Sequence, residues 1–147
     1  MPHANPDDAT IRALLERATT IAMVGASSNP GRPSHGVMKF LLERGFRVIP
    51  VSPNETEVLG QRAWPSLEAV PDRIDIVDVF RRAEHTPGIA EEAVRVGATA
   101  LWLQQGISNE AAAERAAAGG LVVVMDLCIA ETTLRFDIRK PRAEPAG

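Results

Sequence analysis

Along the chain, short runs of Val, Ile and Leu alternate with stretches whose apolar residues recur every third or fourth position. Short apolar runs bounded by turn residues read as buried parallel strands, and the 3.6-residue period reads as helix. The first helical stretch, about Asp8 to Ala18, carries Ile11, Leu14, Leu15 and Ala18 on one side, with Asp7 or Asp8 placed to cap it. A first strand follows from Thr20 to Gly25. The next helix is expected from about His35 to Arg44, with Ser34 as its cap, Gly45 as its left-handed stop, and Val37, Phe40 and Leu41 as its core stripe.

The second strand is "FRVIPVS". After it comes an irregular stretch in which Pro65 and Pro71 forbid any long regular element, leaving at most a helical turn at Leu67 to Val70. "IDIVDVF" is the third strand, and Thr86-Pro87 reads as a cap and first-turn proline for a helix from Pro87 to Val96, ended by Gly97. The fourth strand is "ATALWLQ"; Ser108 or Asn109 caps an alanine-rich helix that stops at Gly119-Gly120; "LVVVMD" is the fifth strand. Five strands joined by right-handed helical crossovers predict an α/β fold, a Rossmann-like doubly wound parallel five-stranded sheet of order 3-2-1-4-5. One domain is expected over residues 8–139, between a flexible N-terminus, residues 1–7, and a flexible C-terminal tail, residues 140–147.

With 147 residues, 45% of them hydrophobic and 24% charged, the composition is that of an ordinary globular protein. A chain of this size buries roughly 70% of the surface it exposes when unfolded, so a full core is expected. The net charge of -3 gives no general attraction to nucleic acid. No apolar run approaches the roughly 20 residues of a membrane helix, and the start "MPHANPDDATIR" lacks a signal-peptide layout. We therefore expect a cytoplasmic protein with no membrane or nucleic-acid partner. The single cysteine, Cys128, excludes an internal disulfide and stands in no His/Cys cluster, so no metal site is expected.

In a doubly wound sheet, ligands lie outside the carboxyl ends of the strands. The residues just after each strand are therefore the informative ones: Gly25-Ala26-Ser27, Ser52-Pro53-Asn54, Phe80-Arg81-Arg82, Gln104 to Ile107, and Asp126-Leu127-Cys128. A dinucleotide fingerprint starting at Gly25 would need glycine where Ser27 and Pro30 stand, and NAD also calls for an acidic residue at the end of the second strand. That strand ends "VIPVSPN". NAD is disfavoured, a ribose bearing an extra phosphate is tolerated, and Arg32 is placed to pair with phosphate.

The segments "VGASSNPGRPSHGVMKFLLERGFRVIPVSPN", "DIVDVFRRAEHTPGIAEEAV", "LWLQQGISNEAA" and "VVVMDLCIAE" together closely resemble the small stand-alone CoA-binding proteins. These are relatives of the N-terminal CoA-binding domain of the succinyl-CoA synthetase alpha subunit, and the resemblance runs from about Ile11 to Glu131. It implies that coenzyme A lies across the strand ends. Within the loop Gly25 to Ser34, the residues Gly25, Ala26, Ser27, Asn29, Pro30, Arg32, Pro33 and Ser34 would hold the nucleotide phosphates. Pro53 and Asn54 would border the adenosine, and Val79, Phe80 and Arg81 would line the nucleotide. Gln104, Gln105 and Gly106 would stand beside the pantetheine, and Cys128 near the thiol end. Two departures matter: Asn54 stands where the synthetase has a lysine, which leaves the 3'-phosphate to Arg32, and the synthetase's second domain, with its phosphorylated histidine, has no counterpart.

The first functional reading is a non-enzymatic CoA or acyl-CoA binding protein with no catalytic residues. The alternatives are an NADP-dependent oxidoreductase and the CoA-binding part of a ligase that acts with a separate subunit. A homodimer or an unidentified protein partner stays open. Trp102, between Leu101 and Leu103, reads as core; His35 and His85 read as polar residues at helix starts. The carboxylates Glu91-Glu92 and Asp75-Asp78 read as helix-surface and strand-edge residues. Cys128 has two readings, a ligand-facing thiol or a small apolar residue packed beneath the chain.

Overall fold

The computed structural model describes residues 2–141. Five strands form the expected parallel sheet: β1 (Thr20–Val24), β2 (Arg47–Val51), β5 (Ile76–Val79), β6 (Ala100–Leu103) and β7 (Val122–Val124). Strands buried on both faces read as near-continuous apolar runs, and β5 and β6 are buried throughout, with Asp78 the one polar residue in them. One face carries α1 (Asp8–Arg17), α2 (Pro33–Glu43) and α5 (Ile129–Arg135), whose Leu15, Leu41 and Ile129 pack with Ile21, Met23 and Trp102. The other face carries α3 (Thr86–Arg95) and α4 (Glu110–Ala118), whose alanines meet Val77, Val79, Leu101 and Leu103.

The caps sort themselves by local chemistry. Asp7 caps α1, accepting from the Thr10 N–H at 2.9 Å, and Asn109 caps α4, accepting from the Ala112 N–H at 2.9 Å. Ser34 does not cap α2. The helix begins earlier, at Pro33, whose fixed φ suits the first helical position, so Arg32 is the capping residue and Ser34 lies inside the first turn. The stripe of α2 shifts accordingly: Met38 and Leu41 are fully buried, while Val37 and Phe40 are only partly covered.

The strand order is β2-β1-β5-β6-β7, which among the five is 2-1-3-4-5 where the sequence pattern suggested 3-2-1-4-5. The fold class is unchanged, and the crossover reversal still falls at β1, now between β1 and β5. Pro50 gives the physical reason. Its carbonyl points away from β1 and accepts from the Trp64 N–H at 3.0 Å, so on that side Pro50 would have to donate an N–H to any neighbouring full strand, and proline has none. The strand therefore sits at the sheet edge, covered only by the single bridge from Val51 to Trp64.

Two features lie outside the sequence pattern. A two-residue hairpin, β3 (Glu57–Val58) with β4 (Gln61–Arg62), turns through Leu59 and Gly60, both at positive φ. Helix α5 follows the fifth strand, with Ile129, Thr132 and Thr133 turned inward. Asp78 is also corrected: it is fully buried in the middle of β5, between Met23 and Trp102, and not at a strand edge. In the N-terminal segment the Asn5 side chain bonds both the N–H and the carbonyl of Met125, at 2.9 and 2.8 Å. Most of the expected tail, from residue 142 on, lies outside the described residues. No helix among those described is long and apolar enough to cross a membrane.

Candidate functional site

At the carboxyl ends of β1, β5 and β6 the chain leaves the sheet in turns that enclose a cleft of about 800 Å³. Gly25 closes β1 with φ +90°, a conformation in which a side chain is strained, and its backbone lies against that of Phe80. The loop beyond it is braced by its own polar groups. Ser27 Oγ accepts from the Asn29 N–H at 3.1 Å, Asn29 Oδ1 from the Gly31 N–H at 2.9 Å, and the Asn29 carbonyl from the Arg32 N–H at 3.0 Å. Glu55 holds the loop from outside, accepting from the Ser28 N–H at 2.5 Å and the Ser28 hydroxyl at 2.9 Å. The backbone bond, then the hydroxyl bond, pull the Glu55 carboxyl below its ordinary pKa.

This loop feeds the N-terminus of α2, which carries no side-chain cap. Ser34 is 3% exposed and lines the cleft, and its hydroxyl makes no hydrogen bond with any described residue. Pro33 has no N–H, and the Arg32 and His35 N–H groups bond the Asn29 and Arg32 carbonyls, so the Ser34 N–H and hydroxyl, at the positive end of the helix dipole, form the anion-accepting corner. Arg32 and Arg81 line the same cleft, and neither takes part in an ion pair among the described residues.

The opposite end of the cleft is built by the turns after β6 and β7. Gln104 is 5% exposed, and its Oε1 accepts from the Ile129 N–H at 3.1 Å. The two turns are tied together: the Gly106 N–H donates to Asp126 Oδ1 at 2.7 Å, and the Asp126 N–H donates to the Ile107 carbonyl at 3.1 Å. Trp102, buried as expected, donates its indole N–H to the Leu127 carbonyl at 2.9 Å and so fixes the chain just before Cys128. Cys128 is half-buried and lines the cleft.

Of the residues expected at the site, the cleft gathers Gly25, Ala26, Ser27, Arg32, Pro33 and Ser34 from the first loop. It also gathers Asn54, Phe80 and Arg81, and then Gln104, Gln105 and Cys128. Asn29 and Pro30 are exposed on the loop and do not line it. Gly106 spends its N–H on Asp126 and stays outside the wall. Pro53 lines a smaller neighbouring cavity of about 250 Å³ with Val24, Val51, Leu67 and Ile89. Arg81 borders both spaces. Val79 is fully buried in the core, because strand alternation turns it with Val77 toward α3 and α4. Ser52, Arg82 and Ile107, three of the strand-end residues, join the cleft, and so do Val37 and Glu55, which the strand-end rule does not reach. Among the described residues no group of three or more His, Cys, Asp or Glu is arranged to hold a metal ion.

Residues 19–132 match the family described as the CoA binding domain. The chain belongs to this CoA-binding family. Its relatives include the uncharacterized protein YneT of Bacillus subtilis, 46% identical over 125 residues, covering 85% of this chain and 93% of YneT. A solved structure of a hypothetical protein from Pyrococcus horikoshii is 38% identical with a TM-score of 0.87, over 92% of this chain and 99% of that one. The alpha subunit of ADP-forming acetate–CoA ligase I from Pyrococcus furiosus is 30% identical over 84 residues, 53% of this chain. Of that subunit the match spans only 18%.

Proposed function

We propose that the chain binds coenzyme A or an acyl-CoA across the strand ends and does not itself catalyse a reaction. The observation that carries this reading is the polarity of the cleft's two ends, in a chain of the CoA-binding family. At one end the uncapped start of α2 offers the Ser34 N–H and hydroxyl, flanked by Arg32 and Arg81, which suits the phosphate groups of the nucleotide. At the other end stand a buried amide, Gln104, and a thiol, Cys128. The small cavity beyond Arg81 has one apolar side, Val51, Pro53 and Leu67, for the adenine ring, and a polar side of Ser66, His85 and Glu92, with Asn54 on the adjoining cleft. The pantetheine arm then crosses Phe80 toward Gln104.

Support for a binding rather than catalytic role comes from the titratable groups on the cleft wall. They are Arg32, Arg81 and Arg82, the Ser28-bound Glu55, and Cys128; His85 and Glu92 line the small cavity assigned to the adenine, not the cleft wall around Gln104 and Cys128. A cytoplasmic setting, where thiols stay reduced, suits the free Cys128 in the cleft. A second reading, the CoA-binding part of a ligase whose catalytic subunit is separate, draws support from the likeness to a ligase alpha subunit. Native mass spectrometry of the purified protein tests the main reading. We expect a co-purifying or added ligand of CoA mass; an adduct of NADP mass, with none for CoA, would replace it by the oxidoreductase alternative.

A further inference from the structure

The Gln104 side chain is oriented by the backbone, and the orientation leaves one half of its amide for the cleft. Only the carbonyl oxygen of the amide can accept the Ile129 N–H, so the bond at 3.1 Å fixes Oε1 toward α5 and Nε2 away from it. The residue itself is pinned: its N–H donates to the Val79 carbonyl at 3.4 Å, and its carbonyl accepts from the Ile107 N–H at 2.9 Å. Gln104 is 5% exposed and lines the cleft, yet Nε2 makes no hydrogen bond with any described residue. Nε2 therefore keeps its contact with the open cleft, where an acceptor on a bound ligand can take the place of water.

The proposed seating of coenzyme A, on which this inference rests, puts the diphosphate near Ser34 and the sulfur end near Gln104 and Cys128. Free CoA offers a thiol there, a weak acceptor, whereas an acyl-CoA offers the carbonyl oxygen of its thioester. We propose that Gln104 Nε2 donates to that thioester carbonyl, so that the cleft selects acyl-CoA over free CoA. Ile107, on the same wall, gives the acyl carbons an apolar surface. Gln104 is in this sense a specificity residue, and no bond is made or broken by it.

Calorimetry on the full chain with CoA, acetyl-CoA and S-ethyl-CoA separates the carbonyl from the added carbons, since the thioether has the same chain length and no carbonyl. We expect acetyl-CoA to bind about tenfold more tightly than either of the others, as one extra hydrogen bond to an oriented donor implies. Gln104→Met, of similar volume, should abolish that preference, so that acetyl-CoA and S-ethyl-CoA bind the variant alike. Equal affinities for acetyl-CoA and S-ethyl-CoA in the parent overturn the proposal without needing any variant to fold. A variant that weakens all three ligands alike also overturns it, by assigning the amide to the pantetheine or to packing. If none of the three binds, the CoA reading itself falls and takes this proposal with it; binding of all three with equal strength leaves that reading standing.

Discussion

The backbone of Gly25 stands so close to that of Phe80 that a Cβ on residue 25 would lie 2.6 Å from the Phe80 carbonyl oxygen. Residue 25 also has φ +90°, so a side chain there meets both strain and a backbone atom that cannot move aside. Gly25→Ala should destabilise the protein by roughly 1–3 kcal/mol and displace the first cleft loop, weakening CoA binding. Urea unfolding with calorimetry checks both. An unchanged midpoint would show that the turn yields easily and that the glycine is there for another reason.

Arg32 caps α2 without using its side chain as a cap, and its guanidinium faces the cleft free of any ion pair among the described residues. With Asn54 in place of a lysine, Arg32 is the cation assigned to the 3'-phosphate. CoA should therefore bind more tightly than dephospho-CoA, and Arg32→Ala should lose about 1.5 kcal/mol of CoA affinity while narrowing that gap. Equal affinities for the two ligands in the parent would remove the 3'-phosphate from the account. Arg81, which borders both cavities, is then the next residue to substitute.

The strand ends were legible because buried parallel strands announce themselves as Val/Ile-rich runs, and the rule that ligands sit beyond them located most of the cleft. What the runs do not encode is which strands are neighbours. Pro50 held that information: a proline whose missing N–H faces outward marks an edge strand, and giving it weight would have placed the second strand at the border of the sheet. Glu55 was illegible for a different reason. Its contact with Ser28 joins two loops 27 positions apart, and no periodicity links them. Helix α5 was hidden by its shortness, with only Ile129, Thr132 and Thr133 marking the inward side. Asp78 was misread because a charged residue within a strand normally signals an exposed side, although the doubly wound sheet expected from the crossovers, covered on both faces, already implied a buried third strand.

Burial raises the pKa of Asp78 well above the ordinary 3.8, and neither of its carboxyl oxygens has a hydrogen-bond partner among the described residues. The folded protein thus keeps a proton that the unfolded chain releases as the pH rises past that ordinary value. The stability from this group is complete at low pH and falls on the way up, by about 1.4 kcal/mol per pH unit until the folded carboxyl ionises. Asp78→Asn removes the titration. We expect the variant to lie within about 1 kcal/mol of the parent near pH 4 and to overtake it progressively toward pH 7. Urea unfolding across that range checks the sign; a parent that gains on the variant as pH rises would mean that Asp78 is charged and paired in the native state.

Cys128 lies at the end of the cleft opposite Ser34, on the turn that Trp102 holds through the Leu127 carbonyl. With the observed strand order, β7 is three positions from β1, about 14 Å at ~4.8 Å per strand, farther than the order 3-2-1-4-5 implies and still within reach of an extended pantetheine arm. A bound CoA would bring its own sulfur toward the Cys128 thiol. Oxidised CoA, the symmetric disulfide, should then exchange with it: the Cys128 thiolate attacks one sulfur, a mixed disulfide forms, and one CoA leaves as its thiol. Without a catalyst, exchange of this kind runs over minutes to hours. Intact mass measurement should show a gain of one CoA that reducing agent removes and that Cys128→Ser never acquires. No gain in a protein that demonstrably binds CoA would mean that the ligand's sulfur stays out of reach of Cys128, and the thiol would then be a packing residue at the start of α5.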